Sequence, residues 1–594
     1  PLATSRGVIR DANGTVLAAN RPSYNVYVTP GIIDLETTWP RVVQLMGLDA
    51  EARATLEAYI REARQGPRRM QQTLLQVDVS RDVVAALKTH EVRGRKARPG
   101  EGLSGVEVAP VPVRYYPYGE LGAHALGYMR EVDAEILARL GDHGYRSGDR
   151  VGAVGVERRW ESYLRGQRGW KKVVRGLSRP NLNPEEIEAK YLDEPRQLDP
   201  VPGRDVSLTI DIELMRAVDA AMRVQLAGAV AVVDVRTGRL LAAYSKPSFD
   251  PNVVSGGSGT RAVRETFRRL YADPLRPTLD KTISAAYPPG STYKPFSALA
   301  GLGDRLIDSR TQVVCRGGYW YGKRYFRCTG VHGHVNLHEA IVESCNTYFY
   351  ALGEALQNAP GKTGIDRLAK IGRDFGFGTK TGIGINPEAP GRMPTRSWYT
   401  RRYKGAFMGG YTLLASIGQG ASTVTVLQEA LAYAALANGG TLYQPQVIRS
   451  IETSDGTVVQ EFPPRVRRLI ELDQDHLALV RDALAGVVSD RSGTAYAERI
   501  AGVDMAGKTG TAQVSRATPR GVDPGKVWYF NRDHAWFAGF APSTSPEIAI
   551  VVLVEHGGGG GKNAVPVAMR VVAEWQRLKA KRLAARRDSD DEGL

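Results

Sequence analysis

The chain has 594 residues, of which 42% are hydrophobic and 24% charged, a balance that excludes a disordered or fibrous protein. At roughly 100–200 residues per domain it calls for more than one domain. The net charge is +16, yet no compact Lys/Arg patch interleaved with aromatics and no nucleic-acid signature is apparent, so the basic balance reads as a solvated surface.

Residues 6–29 read as short extended segments around the turn Asn13-Gly14. "RVVQLMGLDAEARATLEAYIREAR" predicts two helices broken at Gly47-Leu48, with Asp49 as N-cap. "GVEVAPVPVRYYPY" reads as a strand pair and "GVERRWESYLRG" as a short helix ending at Gly166. This β-rich first third holds no catalytic constellation. It is taken as a pedestal over residues 1–195, followed by a Pro-rich, charged linker at 196–205.

From residue 206 to 580 the texture changes. "GAVAVVDVRTGRLLAAYS" predicts a hairpin turning at Arg236-Thr237-Gly238, and Ala- and Leu-rich helical stretches follow Ser291. "MAGKTGTAQV", "HAWFAGFAP" and "EIAIVVLVE" are three strand-like segments in series, and a last helix runs into a tail at 581–594 that is expected to be disordered. The order predicts an α+β fold, an antiparallel sheet with helices on its faces. The longest strongly apolar run near the C-terminus, at 548–554, is far short of the ~20 residues of a membrane span. The chain opens at Pro1 without a Met, so a signal or anchor is expected to have preceded it.

The chemistry begins at "YPPGSTYKPF". Pro288 and Pro289 hold the approach extended, Gly290 permits a sharp turn, and a helix start puts Ser291 and Lys294 on one face. A Ser hydroxyl is a poor nucleophile until a base takes its proton, and a Lys is that base only if burial or a neighbouring cation depresses its pKa. Alone, the spacing describes an N-cap Ser beside a surface Lys. Two companions alter that reading. Ser344-Cys345-Asn346 falls between two predicted helices and offers a hydroxyl and an amide. Lys508-Thr509-Gly510-Thr511 lies on a predicted strand: Lys508 and Thr509 suit a substrate carboxylate, and Gly510 leaves room for a substrate backbone.

The order S-x-x-K, S-x-N, K-T-G resembles penicillin-binding proteins and class A β-lactamases, which usually carry S-D-N. "SIGQG", "ANGG", "LTID", "SKPSFDPN", "RGVIRDANGTVLAAN" and "GVERRWESYLRGQRG" extend the likeness over nearly the whole chain, to the elongation-type class B penicillin-binding proteins. Val426 where Pro is expected, and "PLRPTLDK" without the usual Asn-Arg-Ala, depart from the pattern.

The resemblance implies a peptidoglycan D,D-transpeptidase. Ser291 would attack the D-Ala-D-Ala carbonyl of a stem peptide and Lys294 would take its proton. Backbone N–H groups of Ser291 and Thr511 would form the oxyanion hole, Ser344 would relay a proton to the leaving D-Ala, Asn346 would hold the stem amide, and Lys508 with Thr509 the terminal carboxylate. β-Lactams would acylate Ser291. The resemblance further implies a periplasmic catalytic domain on a single-span inner-membrane anchor, and a SEDS-family (RodA-like) glycan polymerase as partner of the pedestal.

Cys315, Cys328, His332 and Cys345 make a four-ligand set suited to structural zinc, and elongation-type members are similar in carrying zinc beside S-x-N. His334 competes with His332, and one disulfide plus a spare thiol is the alternative to metal. A β-lactamase would need a deacylating base that cannot be assigned here. A D,D-carboxypeptidase, a division-type enzyme and a scaffold for the polymerase remain as alternatives. "HGGGGGK" at 556–562 lacks the Ser/Thr of a phosphate loop and reads as a flexible turn near the site mouth.

Overall fold

The computed structural model describes residues 4–67, 69–90, 102–146, 149–172, 196–255, 261–361, 363–514, 522 and 527–591. They divide into two compact units. One comprises residues 1–8, 18–116 and 162–205, the other 9–17, 117–161 and 206–594. The expected pedestal block is therefore interrupted: 117–161 belongs with the second unit. Asn386 shows why, since its Nδ2 donates to His124 O (2.7 Å) while its Oδ1 accepts the Gly155 N–H (2.9 Å).

In the first unit, Val16–Val28 is one long strand, paired antiparallel with Val106–Tyr115 from Ala19↔Tyr115 to Val28↔Val106 and with Thr73–Gln76. The expected strand pair at 105–118 is thus a single strand, and Pro110 and Pro112 lie within it. The two predicted helices are Thr38–Met46 and Ala50–Gln65. Gly47 ends the first at φ 62°, and the Asp49 side chain accepts from Ala52 N to open the second. Trp39, Val42, Ile60, Val26 and Val28 form their common core. "GVERRWESYLRG", which begins in the second unit's segment 117–161, forms two short helices, Gly155–Arg159 and Glu161–Leu164. Of the expected linker at 196–205, Gln197–Leu198 is a strand that pairs with Trp170–Lys171.

The second unit is built on a five-stranded antiparallel sheet. Asp211 caps Ile212–Ala221 (α1), and the hairpin Gly228–Asp234 (β1) and Leu240–Lys246 (β2) follows. Lys294–Gly303 (α2), Leu337–Val342 (α3), Asn346–Asn358 (α4), Val426–Ala437 (α5) and Gln474–Ser489 (α6) precede the three predicted strands, Ala506–Ala512 (β3), His534–Ala541 (β4) and Ile548–Val554 (β5). The strand order is β2-β1-β5-β4-β3, so β3 is an edge. β4 and β5 are buried at every residue, which explains their unbroken apolar runs. α5, buried throughout, packs on β1 and β5.

The closing helix, Val565–Asp591 (α7), corrects the expectation of a disordered tail from 581. Arg582 bonds Asp211 and Glu213 (3.0 and 2.9 Å), and Lys579 bonds Glu547, so these charges hold the helix onward. No helix of the described residues is long and apolar enough to cross a membrane.

Candidate active site

Ser291 lies in a turn of 3-10 helix, Gly290–Tyr293, that runs directly into α2. Gly290 sits at φ 59°, where a Cβ would come within 2.5 Å of Thr511 O. Only glycine lets the turn lie this close to edge strand β3. Below it, Phe296 packs against Tyr293, Phe375, Phe377 and Tyr433 at centroid distances of 4.9–5.7 Å. Fully burying a ring of this kind contributes about 1.5–3 kcal/mol, so the turn stands on a rigid base. Tyr433 Oη also donates to Thr292 O (2.8 Å).

Lys294 is fully buried. Its Nζ donates to Ser344 O (2.7 Å), Ser344 Oγ (3.1 Å) and Asn346 Oδ1 (2.8 Å), and lies 5.3 Å from the Phe349 ring centroid. Burial pulls its pKa from 10.5 down to about 7 against the opposing pull of the Cys328 and Cys345 sulfurs. The S-x-x-K and S-x-N motifs are therefore one hydrogen-bonded group.

Ser344 adopts φ 60°, a left-handed conformation that is uncommon for a residue with a Cβ. It lies between Glu343, the C-cap of α3, and Cys345, the N-cap of α4, whose first residue is Asn346. That reversal turns both the carbonyl and the hydroxyl of Ser344 toward Lys294.

Lys508 and Thr509 are buried on β3. Lys508 Nζ donates to Thr509 O (3.3 Å), and burial, then the charge of Lys294, hold its pKa well below the usual range. Thr509 Oγ1 lies 2.6 Å from Thr494 Oγ1. Gly510 also has a packing role. A Cβ there would lie 2.9 Å from Thr292 Cγ2 and 3.2 Å from Pro289 O, so this glycine lets β3 close on the Ser291 turn. "HGGGGGK" is likewise more than a loose turn: Gly560–Asn563 is helical, and a Cβ on Gly560 would lie 2.3 Å from Gly510 O.

Three residues not expected at the site also line it: Thr494, Gln419, whose Nε2 donates to Thr511 O (3.0 Å), and Phe349. Gln419 lies in the quoted "SIGQG", whereas no local pattern marks Thr494.

Cys315, Cys328, His332 and Cys345 come together with their ligand atoms all within 4.8 Å, and His334 is exposed outside the cluster. The three cysteines are free thiols, so the disulfide alternative is not the observed arrangement. His332 Nδ1 lies 3.4 Å from Cys315 Sγ and 3.5 Å from Cys328 Sγ, and Cys328 Sγ lies 3.9 Å from Cys345 Sγ. Ligands at the ~2.3 Å (S) and ~2.0 Å (N) of a tetrahedral zinc stand about 3.5–3.8 Å apart, so the donor set fits that ion. Cys328 Sγ also accepts the Asn346 N–H (3.1 Å), tying the cluster to the start of α4.

A buried Lys coupled to a Ser and an Asn, beside a Ser turn closed against an edge strand with a second buried Lys, defines a serine acyltransferase site. The Penicillin binding protein transpeptidase domain matches residues 228–573, and the Penicillin-binding Protein dimerisation domain matches residues 1–208. The chain belongs to the penicillin-binding protein transpeptidase family. It is 32% identical to the peptidoglycan D,D-transpeptidase MrdA of Acinetobacter baumannii, over 98% of this chain and 82% of that protein. Penicillin-binding protein 2 of Helicobacter pylori, in complex with MreC, superposes with a TM-score of 0.76 at 26% identity, covering 97% of this chain and 98% of that one. A protein from a peptidoglycan synthase complex coordinating polymerization and crosslinking superposes at 0.70 with 28% identity, covering 96% and 90%.

Proposed function

We propose that this chain is an elongation-type peptidoglycan D,D-transpeptidase, acylated in the same way by β-lactams. The observation that carries the reading is the Lys294 cradle: a buried amine held by Ser344 and Asn346, three residues after Ser291. Ser291 Oγ attacks the penultimate D-Ala carbonyl while Lys294, neutral, takes its proton. The C–N bond to the terminal D-Ala breaks, and Ser344 passes that proton to the leaving amine. An amine of a second stem then attacks the ester, forms the cross-link and returns a proton to Ser291. Asn346 holds the stem amide and Lys508 with Thr509 the terminal carboxylate. Edge strand β3 suits this work because its outer backbone groups can pair with an extended peptide, and the N–H groups of Ser291 and Thr511 would receive the oxyanion.

Cys315, Cys328, His332 and Cys345 would hold a structural zinc. When bound, the ion supplies a closed tetrahedral anchor beside Ser344 and Asn346 and takes no part in bond making. The catalytic unit is read as periplasmic, on a membrane anchor outside this chain, with a SEDS-family polymerase (RodA-like) as partner of the pedestal. A structural relative belongs to a peptidoglycan synthase complex that coordinates polymerization and crosslinking, which supports that partner.

The test is D-Ala release and cross-linked product from un-cross-linked glycan strands. Wild-type protein is expected to give both and Ser291→Ala neither; product from Ser291→Ala would sink the assignment.

A further inference from the structure

One stretch, residues 396–404, does interleave basic and aromatic residues, and the folded chain joins it to a second. Between Glu388 and Glu429 there is no acidic residue, while Arg392, Arg396, Arg401, Arg402 and Lys404 are all present and exposed. Aromatic rings run through the same stretch. Tyr399 stacks on Tyr411 at 4.2 Å and on Tyr403 at 6.0 Å, and Tyr403 is 57% exposed.

A second acid-free stretch, between Asp308 and Glu339, supplies Arg316, Lys323, Arg324 and Arg327, also exposed. These flank the hairpin Gly318–Tyr321 and Arg324–Arg327, whose Trp320 is 67% and Tyr325 41% exposed, with ring centroids 5.0 Å apart. The two stretches meet in space: Tyr321 Oη lies where a Cβ on Gly409 would stand, and Phe326 borders Gly410. Among the described residues none of these cations makes an ion pair. The acids that do approach are Glu354, bonded by Tyr319 Oη, and Asp366, which accepts the Arg396 N–H (3.0 Å).

The surface adjoins the acyl site on two sides. Tyr399 Oη lies 3.5 Å from the Cβ position of Gly420, next to Gln419, which bonds Thr511 O. On the other side Phe326 packs against Tyr350 of α4 at 5.3 Å, four residues after Asn346. A cleft of about 550 Å³ beside it is lined by Asp366, Thr395, Arg396, Ser397, Thr400 and Arg401.

We infer that this cationic, aromatic face binds the acceptor glycan strand and presents its stem amine to the acyl-Ser291. The inference rests on the transpeptidase reading and names the second substrate's site. Pyranose C–H edges lie against the negative faces of exposed rings, hydroxyl-lined clefts suit N-acetyl sugars, and free guanidinium groups suit stem carboxylates. A small acceptor needs none of this; a polymer does.

The test compares the full chain with Arg396→Gln/Arg401→Gln/Arg402→Gln/Lys404→Gln and, separately, Trp320→Ala/Tyr403→Ala. Each is assayed for acylation by a fluorescent penicillin, for exchange with free D-amino acid as acceptor, and for cross-linking of un-cross-linked glycan strands. Acylation and exchange are expected to stay within twofold of wild type while cross-linking falls roughly tenfold, with a steeper salt dependence in the wild type. Unchanged cross-linking in both variants overturns the inference. So does a loss of binding to an oligonucleotide or anionic vesicles with glycan-strand binding intact, which would give the face to another polyanion. Absence of acylation in wild-type protein would instead overturn the transpeptidase reading itself.

Discussion

As the proposed base, Lys294 would take a proton from Ser291 only after losing its own, and burial makes this accessible near neutrality by lowering its pKa to about 7. Acylation by penicillin is therefore expected to rise with pH, half-maximal near pH 7 and level above it; an inflection near 10 would contradict this base. The same shift acts on stability. The folded pKa lies below the unfolded one, so the unfolded state binds the extra proton between the two values. The cost of burying this amine is full below about pH 7 and fades as pH rises toward the unfolded pKa. Lys294→Met is accordingly expected to lose about 10²–10⁴-fold in acylation without lowering the melting temperature at pH 6. Gly510 gives a prediction of the opposite kind. Gly510→Ala forces a methyl against Thr292 and Trp536, so it should cost about 1–3 kcal/mol in urea unfolding and depress acylation by parting β3 from the Ser291 turn.

At the scale of elements, a buried ion pair ties the approach to Ser291 to the end of β5. Lys281 Nζ lies 2.9 Å from Glu555 Oε2 and donates to Lys246 O (2.8 Å) and Leu275 O (2.7 Å). Tyr287, first residue of "YPPGSTYKPF", donates its hydroxyl to Glu555 Oε1 (2.7 Å). Lys281→Met leaves a buried carboxylate unpaired and is expected to cost about 3–5 kcal/mol in urea unfolding, while Lys281→Met with Glu555→Met regains most of it. Equal melts for the single and double variants would refute this account. The Cys/His cluster carries its own prediction. Chelation, or Cys345→Ser, should lower acylation in a protein that stays folded, because Ser344 loses its anchor; full acylation of a demetallated, folded sample counts against the zinc reading.

These elements also show what was legible in sequence. β3, β4 and β5, the hairpin at 228–246 and the Gly47/Asp49 boundary follow from local pattern and capping, and all appear where expected. The departure from Asn-Arg-Ala was visible at "LDK", but that Lys281 meets Glu555 depends on a pairing across more than half the second unit. The same holds for Gly510, whose reason is a distant turn, and for α7, held past residue 581 by Asp211 and Glu213.

At the scale of the whole molecule, the N-terminal sequence serves two compact units, since 117–161 folds with the catalytic one. A truncation at residue 206 therefore removes part of the catalytic unit's own packing and is expected to be less stable than the full chain in thermal melts. If the pedestal also activates a glycan polymerase, Ser291→Ala should abolish cross-linking while polymerase stimulation stays at wild-type level; joint loss would mean the two functions are not separable.

The most direct test of the account is peptide mapping by mass spectrometry after incubation with penicillin. The account predicts one adduct of the drug's full mass, on the peptide holding Ser291, absent from Ser291→Ala. An adduct on another residue, or none on folded wild-type protein, would contradict it.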